Sequence, residues 1–275
     1  MNKELIVQLI IIFLLTQGIG LFVGDFLIGE DIRTTIITDD PNDVENSIAL
    51  FVWILVFTGV LIIIIKFAPE WLLTVLLKGI ESLAIFGTTI IVLLPTLLVD
   101  EIILIIAILF VGSRIIFNKN LLLRNASSIV AAAGAGALIG VSLGITPILV
   151  FIILLSVYDF IAVFKTKHMV ILAKGVTKNN LAFTFALPTK EHQFELGTGD
   201  MVIPLAFSIS VLATNSHIIF PLNFVPSIAI LIASLVGLII TLHYASLKKG
   251  TALPALPLQT ILMLLMFGVS KLAGF

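Results

Sequence analysis

The sequence predicts an all-α, polytopic membrane protein with nine transmembrane helices. Two bulk properties carry that prediction, and the charge distribution tests it. Of the 275 residues, 60% are hydrophobic and only 11% are charged, whereas soluble domains carry roughly a quarter charged residues. Mean hydropathy is +1.25. Apolar runs of about 20 residues, enough to cross hydrocarbon, recur from one end of the chain to the other. The runs are continuous rather than alternating. Helices therefore satisfy their backbones, and a transmembrane barrel is disfavoured.

The first run, 5–28, follows Lys3. It exceeds the roughly 7–15 residues of a signal-peptide core and lacks an A-x-A site, so it reads as a retained first helix. The length rule then places helices at 48–67, 71–94, 102–117, 127–145, 147–164, 196–219, 225–245 and 251–273. Lys78 and Glu81 mark the polar end of the third. No repeat divides the chain, so 1–275 reads as one membrane-embedded domain. Residues 1–164 hold helices one to six, 165–195 form a loop, and 196–275 hold helices seven to nine. The chain has no cysteine, which excludes disulfides and thiolate chemistry.

With nine spans, one face receives Lys3, Lys66, Lys78, Arg114, Lys119, Arg124, Lys165, Lys167, Lys174, Lys178, Lys190, Lys248 and Lys249. The other receives only Arg33 and Lys271, and together they account for all 15 basic residues. The positive-inside rule then gives a cytoplasmic N-terminus and an outside C-terminus.

Several features read as structural. The loop after helix one carries Glu30, Asp31, Asp39, Asp40, Asp43 and Glu45 without the EF-hand glycine pattern, so it reads as a solvated acidic loop rather than a calcium site. Helix five holds Gly134, Gly136, Gly140 and Gly144, a small-residue stripe for close helix packing. Thr16, Gln17 and Gly18 read as interhelical hydrogen-bonding and packing residues. His168, His192, His217 and His243 lack H-E-x-x-H spacing, and no serine sits in Gly-x-Ser-x-Gly. A zinc or rhomboid-like serine mechanism is therefore disfavoured, and no cofactor is expected.

Asp159 and Asp200 stand apart because each falls inside a predicted span. A carboxylate there costs at least about 2.5–3.5 kcal/mol and needs a compensating role. Asp159 lies six residues before Lys165 and Asp200 five after Glu195, which puts both roughly 8–9 Å below the same face at 1.5 Å per residue. Two carboxylates at one depth on adjacent antiparallel helices can share a proton and a water, as acid–base hydrolysis of a peptide requires. Depth alone leaves other roles open: helix–helix hydrogen bonding, or proton or cation transport. No paired interrupted repeats of the transporter kind are evident.

The neighbouring residues are more specific. Tyr158-Asp159 lies in span six, Gly197-Thr198-Gly199-Asp200 enters span seven, and Pro254-Ala255-Leu256 followed by Pro257 enters span nine. The glycines would let backbone or substrate pass close to the carboxylate and ease unwinding. The prolines would remove donors at the helix start and leave carbonyls free to pair. Together these motifs resemble the presenilin and signal peptide peptidase family of Gly-x-Gly-Asp intramembrane aspartyl proteases. In length the chain looks like an archaeal presenilin homologue, which implies a multi-pass protein of a prokaryotic cell membrane. Prepilin-type peptidases share Gly-x-Gly-Asp but lack Pro-Ala-Leu and have fewer spans.

The resemblance implies Asp159 and Asp200 as the catalytic dyad. Tyr158, Gly197, Thr198, Gly199, Pro254, Ala255 and Leu256 would support the site or bind substrate. It implies transmembrane-helix proteins or peptides as substrates in the lipid bilayer, and no nucleic acid. Without a large soluble domain, accessory subunits are not expected to be required, and homo-oligomerisation stays open. Thr198 stands where presenilins commonly have leucine, which bears on substrate preference. The basic 165–195 loop could dock on anionic headgroups. Within it, 181–187 is apolar and β-prone. That segment could gate the site and pair with an extended substrate strand, or could simply be a partly embedded loop.

Overall fold

The computed structural model describes residues 3–165, 181–189, 193–247 and 254–275. Lys167, Lys174, Lys178, Lys190, Lys248, Lys249, His168 and His192 lie outside them, as does most of the 165–195 loop. Nine α-helices are present among the described residues: α1 (Lys3–Gly29), α2 (Val44–Phe67), α3 (Glu70–Leu93), α4 (Asp100–Ile116), α5 (Leu121–Ser142), α6 (Ile145–Phe164), α7 (Gly199–Thr214), α8 (Phe224–Leu247) and α9 (Leu256–Leu272). Strands β1 (Thr184–Pro188) and β2 (Gln193–Gly197) form an antiparallel pair between α6 and α7.

Nine helices match the expected number, but only six are long and apolar enough to cross a membrane by length and composition. Those are α1, α2, α3 with the 3₁₀ turn that extends it to Thr96, α5, α6 and α8. The helices α4, α7 and α9 have 17, 16 and 17 residues. The expected span 196–219 is the largest departure. Leu196 and Gly197 belong to β2, and the chain leaves the helix at Asn215. Helix five starts at Leu121 rather than 127, where the Asn120 side chain caps it by accepting from the Leu122 and Leu123 N–H groups. That cap draws Arg124 into the first turn.

Helix α7 is the centre of the bundle. Eleven of its 16 residues are buried, from Met201 to Leu212, and α1, α5, α6, α8 and α9 all pack against it. In a bilayer, apolar burial gives little drive between helices, so close approach and polar links decide packing. Both are present. Leu205 fills the space over Gly20 of α1 and Gly136 of α5, and Ile209 fills that over Gly24 and Gly140. Ser208 and Ser227 exchange hydrogen bonds to each other's carbonyls at 3.0 and 2.8 Å, tying α7 to α8. The Ser210 hydroxyl donates to the Leu143 carbonyl at 2.8 Å.

Gly136 and Gly140 are thus the seat of α7, with Gly134 packed against Thr88 of α3 on another side. Gly144, expected in helix five, lies beyond its end and faces Asn42 and Pro41 of the acidic loop. A Cβ at Gly140 would lie 2.7 Å from the Ala206 carbonyl oxygen and from the Ile209 Cβ. The obstacles are backbone and a branched carbon, which cannot swing aside. Gly140→Ala should therefore destabilise the protein by about 1–3 kcal/mol, as overpacking does. Thermal unfolding in detergent measures this, and an unchanged midpoint would refute the packing account.

Two carboxylates of the acidic loop between α1 and α2 stabilise turns. Asp43 caps α2 through the Glu45 N–H, and Asp40 accepts from the Asn42 N–H, both at 2.9 Å. Buried Asn46 accepts from the Ile37 and Thr38 N–H groups at 3.0 Å. Among the described residues, no group of three or more His, Asp or Glu side chains is arranged for a metal.

Candidate active site

One buried and one partly buried ion pair hold the hairpin that leads to Asp200. Arg114 at the end of α4 pairs with Glu81 of α3 at 3.0 Å, and the same carboxylate accepts the Ala182 N–H at 2.7 Å. Arg124 of α5, with a side chain 1% exposed, pairs with Glu195 of β2. It also donates to the Leu181 carbonyl at 3.0 Å and to the Thr184 hydroxyl. Residues 181 and 182 are therefore gripped at a carbonyl by one cation and at an N–H by one anion. Glu195, expected only as a marker of the membrane boundary, is a structural partner instead.

The β-prone stretch does form a strand, but its free edge is not available. The Asn125 side chain reads the Ala186 backbone in both directions, accepting its N–H and donating to its carbonyl at 2.8 Å each. The Ser128 hydroxyl contacts the Thr184 carbonyl at 3.2 Å, and Gln8 of α1 donates to the Pro188 carbonyl at 2.9 Å. These side chains cover the edge of β1 that faces away from β2. In the observed register, Phe185 pairs with Leu196 and Thr184 with Gly197. The alternation of an antiparallel ladder then points the backbone groups of Gln193, Glu195 and Gly197 away from β1. The outward edge of the two-stranded sheet is that of β2.

From β2 the chain turns directly into α7. The Thr198 N–H and hydroxyl both donate to the Phe183 carbonyl at 3.1 Å, closing the base of the hairpin. The Thr198 carbonyl in turn accepts from the Met201 and Val202 N–H groups at 3.0 Å, starting the helix. Asp200 therefore sits in the first turn of α7. Neither Gly197 nor Gly199 has a positive φ; among the described glycines only Gly274 does. Their value is space rather than backbone freedom. A Cβ at Gly199 would meet nothing within 4 Å, and one at Gly197 would lie 3.6 Å from the Asp200 carboxylate.

Asp159 lies on α6, within electrostatic reach of Asp200. Its carboxylate accepts a hydrogen bond from the Leu256 backbone N–H. Leu256 is the first residue of α9 and Pro257 has no N–H, so this is the donor that remains at that position. The expectation was that the prolines would leave carbonyls to pair; the contact uses the surviving N–H. Asp159 thereby caps α9, and its negative charge faces the positive end of that helix dipole. Ala255 and Leu256 are buried and Pro254 is half-buried. Tyr158 turns the other way: it hydrogen-bonds with Thr58 and sits edge-on to Phe51 at 6.2 Å, linking α2 to α6.

Two further polar contacts reach the first turn of α7. Gln17 of α1 donates to the Met201 carbonyl at 3.1 Å, and Gln259 of α9 donates to the Asp200 carbonyl at 3.2 Å. Thr16 bonds within its own helix, to the Ile12 carbonyl at 2.8 Å. Gln259 was not singled out from the sequence, although Pro204, four residues after Asp200, was a signal for it. The two aspartates, the Gly-x-Gly-Asp turn and the Pro-Ala-Leu segment thus meet at one end of α6, α7 and α9.

The family model described as "Signal-peptide peptidase, presenilin aspartyl protease" matches residues 10–272. A solved structure of a presenilin family intramembrane aspartate protease in space group C222 superposes with a TM-score of 0.73 at 20% identity, covering 98% of this chain and 99% of that one. Another, in space group P2, gives 0.69 at 21% identity, with 97% of each chain covered. At such identities the superpositions establish the fold. No curated protein matches the chain.

Proposed function

The chain belongs to the family of signal-peptide peptidases and presenilin aspartyl proteases, and from that premise we propose that it hydrolyses peptide bonds inside single-span transmembrane helices, with Asp159 and Asp200 activating a water. The observation that carries this is the convergence of the two carboxylates with the Leu256 N–H on three adjacent helices. One carboxylate takes a proton from the attacking water while its protonated partner polarises the scissile carbonyl, and the pair exchanges these roles as the amine leaves. This is aspartic hydrolysis of the Gly-x-Gly-Asp type.

A helical substrate hides its peptide bonds in its own hydrogen bonds, so it must unwind before attack. Segments rich in β-branched or small residues unwind at lower cost and should be preferred. An unwound segment needs new partners for its backbone, and the outward edge of β2 offers them by strand addition. That edge ends three residues before Asp200, which would feed the extended segment toward the dyad. Thr198, Gly197 and Gly199 would border that segment, with Pro254, Ala255 and Leu256 near Asp159.

The orientation we infer has a cytoplasmic N-terminus. Lys3, Lys66, Lys119 and Lys165 lie at the hairpin end of the bundle, and Arg33 and Lys271 at the other. A multi-pass protein of an archaeal cell membrane, acting as one domain on transmembrane substrates without accessory subunits, fits this reading.

The test is cleavage of a single-span peptide by the purified protein alone in detergent, with product masses read out. Wild type should cut, and Asp159→Ala and Asp200→Ala should not. Substrates N-methylated at alternate residues beside the scissile bond should be cut at least about tenfold more slowly, since each methyl removes a ladder hydrogen bond. Cleavage by either variant would end the dyad assignment, and indifference to N-methylation would end strand addition.

A further inference from the structure

The first turn of α7 contains a gap that its own sequence creates. In an α-helix the carbonyl of residue i accepts the N–H of residue i+4. The Asp200 carbonyl should therefore accept from residue 204, and residue 204 is proline, inside the helix. Proline has no N–H, and its ring also crowds the carbonyl four residues back. A carbonyl left without a donor at this depth would cost free energy comparable to a lost hydrogen bond.

The Gln259 side chain fills this gap from α9. Its Nε2 donates to the Asp200 carbonyl and to the Ser234 hydroxyl of α8, each at 3.2 Å. The side chain is fully buried. Its orientation is set by chemistry: the reverse placement would aim one carbonyl oxygen at another, and it would waste both amide hydrogens. Gly237, one turn from Ser234, lets the Gln259 backbone approach, since a Cβ there would lie 3.1 Å from the Gln259 Cα. The Gln259 Oε1 has no protein partner among the described residues, so the contact is made by the donor end alone.

Gln259 is three residues after Leu256, on the same face of α9. Leu256 holds the carboxylate of Asp159 and Gln259 holds the backbone of Asp200, so a single helical turn spans both aspartate-bearing helices. We propose that Gln259 is a positioning residue for Asp200, supplying the hydrogen bond that Pro204 withholds and so fixing the separation of the two carboxylates. This rests on the dyad reading above. It assigns Gln259 no contact with substrate.

The experiment is a double-mutant cycle on substrate cleavage, because Pro204→Ala would restore the missing N–H donor. In the Pro204 background, the near-isosteric Gln259→Met should lower kcat about 10–100-fold, the effect of a small displacement of a reacting group. KM should stay within about threefold, because substrate contacts are unaltered. In the Pro204→Ala background the same substitution should cost less than about threefold, since the helix now supplies its own donor. Equal losses in both backgrounds would overturn the proposal, as would a wild-type kcat for Gln259→Met alone. So would failure of Gln259→Met to fold in both backgrounds, because the restored N–H should make the side chain dispensable. Failure of the dyad reading shows separately, as cleavage surviving Asp159→Ala or Asp200→Ala.

Discussion

Replacing either aspartate by asparagine should abolish measurable cleavage while leaving the fold in place. The substitution is isosteric, and the amide oxygen of Asp159→Asn can still accept the Leu256 N–H that Asp159 accepts now. The cap on α9 therefore survives. What is lost is the ability to hold and exchange a proton, a contribution of about 10²–10⁴-fold to rate. The two residues act as a unit, so the double variant should be no slower than the slower single one. Initial rates on a single-span substrate, taken beside thermal unfolding of each variant, separate chemistry from structure. A variant that unfolds like wild type and still cleaves at more than about a tenth of its rate would remove that aspartate from the chemistry.

The two aspartates of the proposed dyad were legible in the sequence because the bilayer makes them conspicuous. An ionisable residue inside an apolar run is costly enough to mark itself, and Asp159 and Asp200 fall at matched distances from charged flanks. The nine helices among the described residues were legible for the same reason, since each apolar run must close its own hydrogen bonds, although only six are long and apolar enough to cross a membrane. The entry to α7 was not. Leu196 continues an apolar run, and over a few residues an apolar strand cannot be told from an apolar helix by periodicity. Only its pairing with Phe185 makes it a strand.

Long-range polar contacts were equally hidden. Glu195 and Arg124 are 71 residues apart, and each looked like a charge at a membrane surface. The covered edge of β1 depends on Asn125 and Ser128, which local sequence shows only as polar residues opening a helix. The choice between proteolysis and transport could not come from depth, since both use buried carboxylates. It came from the local motifs and from the family match over residues 10–272.

Arg124→Met should cost more stability than Gly140→Ala. The arginine side chain is 1% exposed and Glu195 18% exposed. Methionine keeps most of the volume but strands the Glu195 carboxylate with only the Thr184 hydroxyl and the Gln193 amide, each at 2.6 Å. Breaking a fully buried pair from one side costs about 3–5 kcal/mol, mostly because the remaining charge is unpaired. Partial exposure of Glu195 places this case at the lower end, about 3 kcal/mol. Adding Glu195→Gln removes the stranded charge, so the double variant should be more stable than Arg124→Met alone. Activity should fall further than stability does. The Leu181 carbonyl loses its donor and the hairpin loses its tie to α5, and that hairpin runs through Thr198 directly into Asp200. At a temperature where both proteins remain folded, the variant should still cleave more slowly than wild type. A rate that merely follows the folded fraction would limit Arg124 to holding the fold, and an unchanged unfolding midpoint would deny it even that.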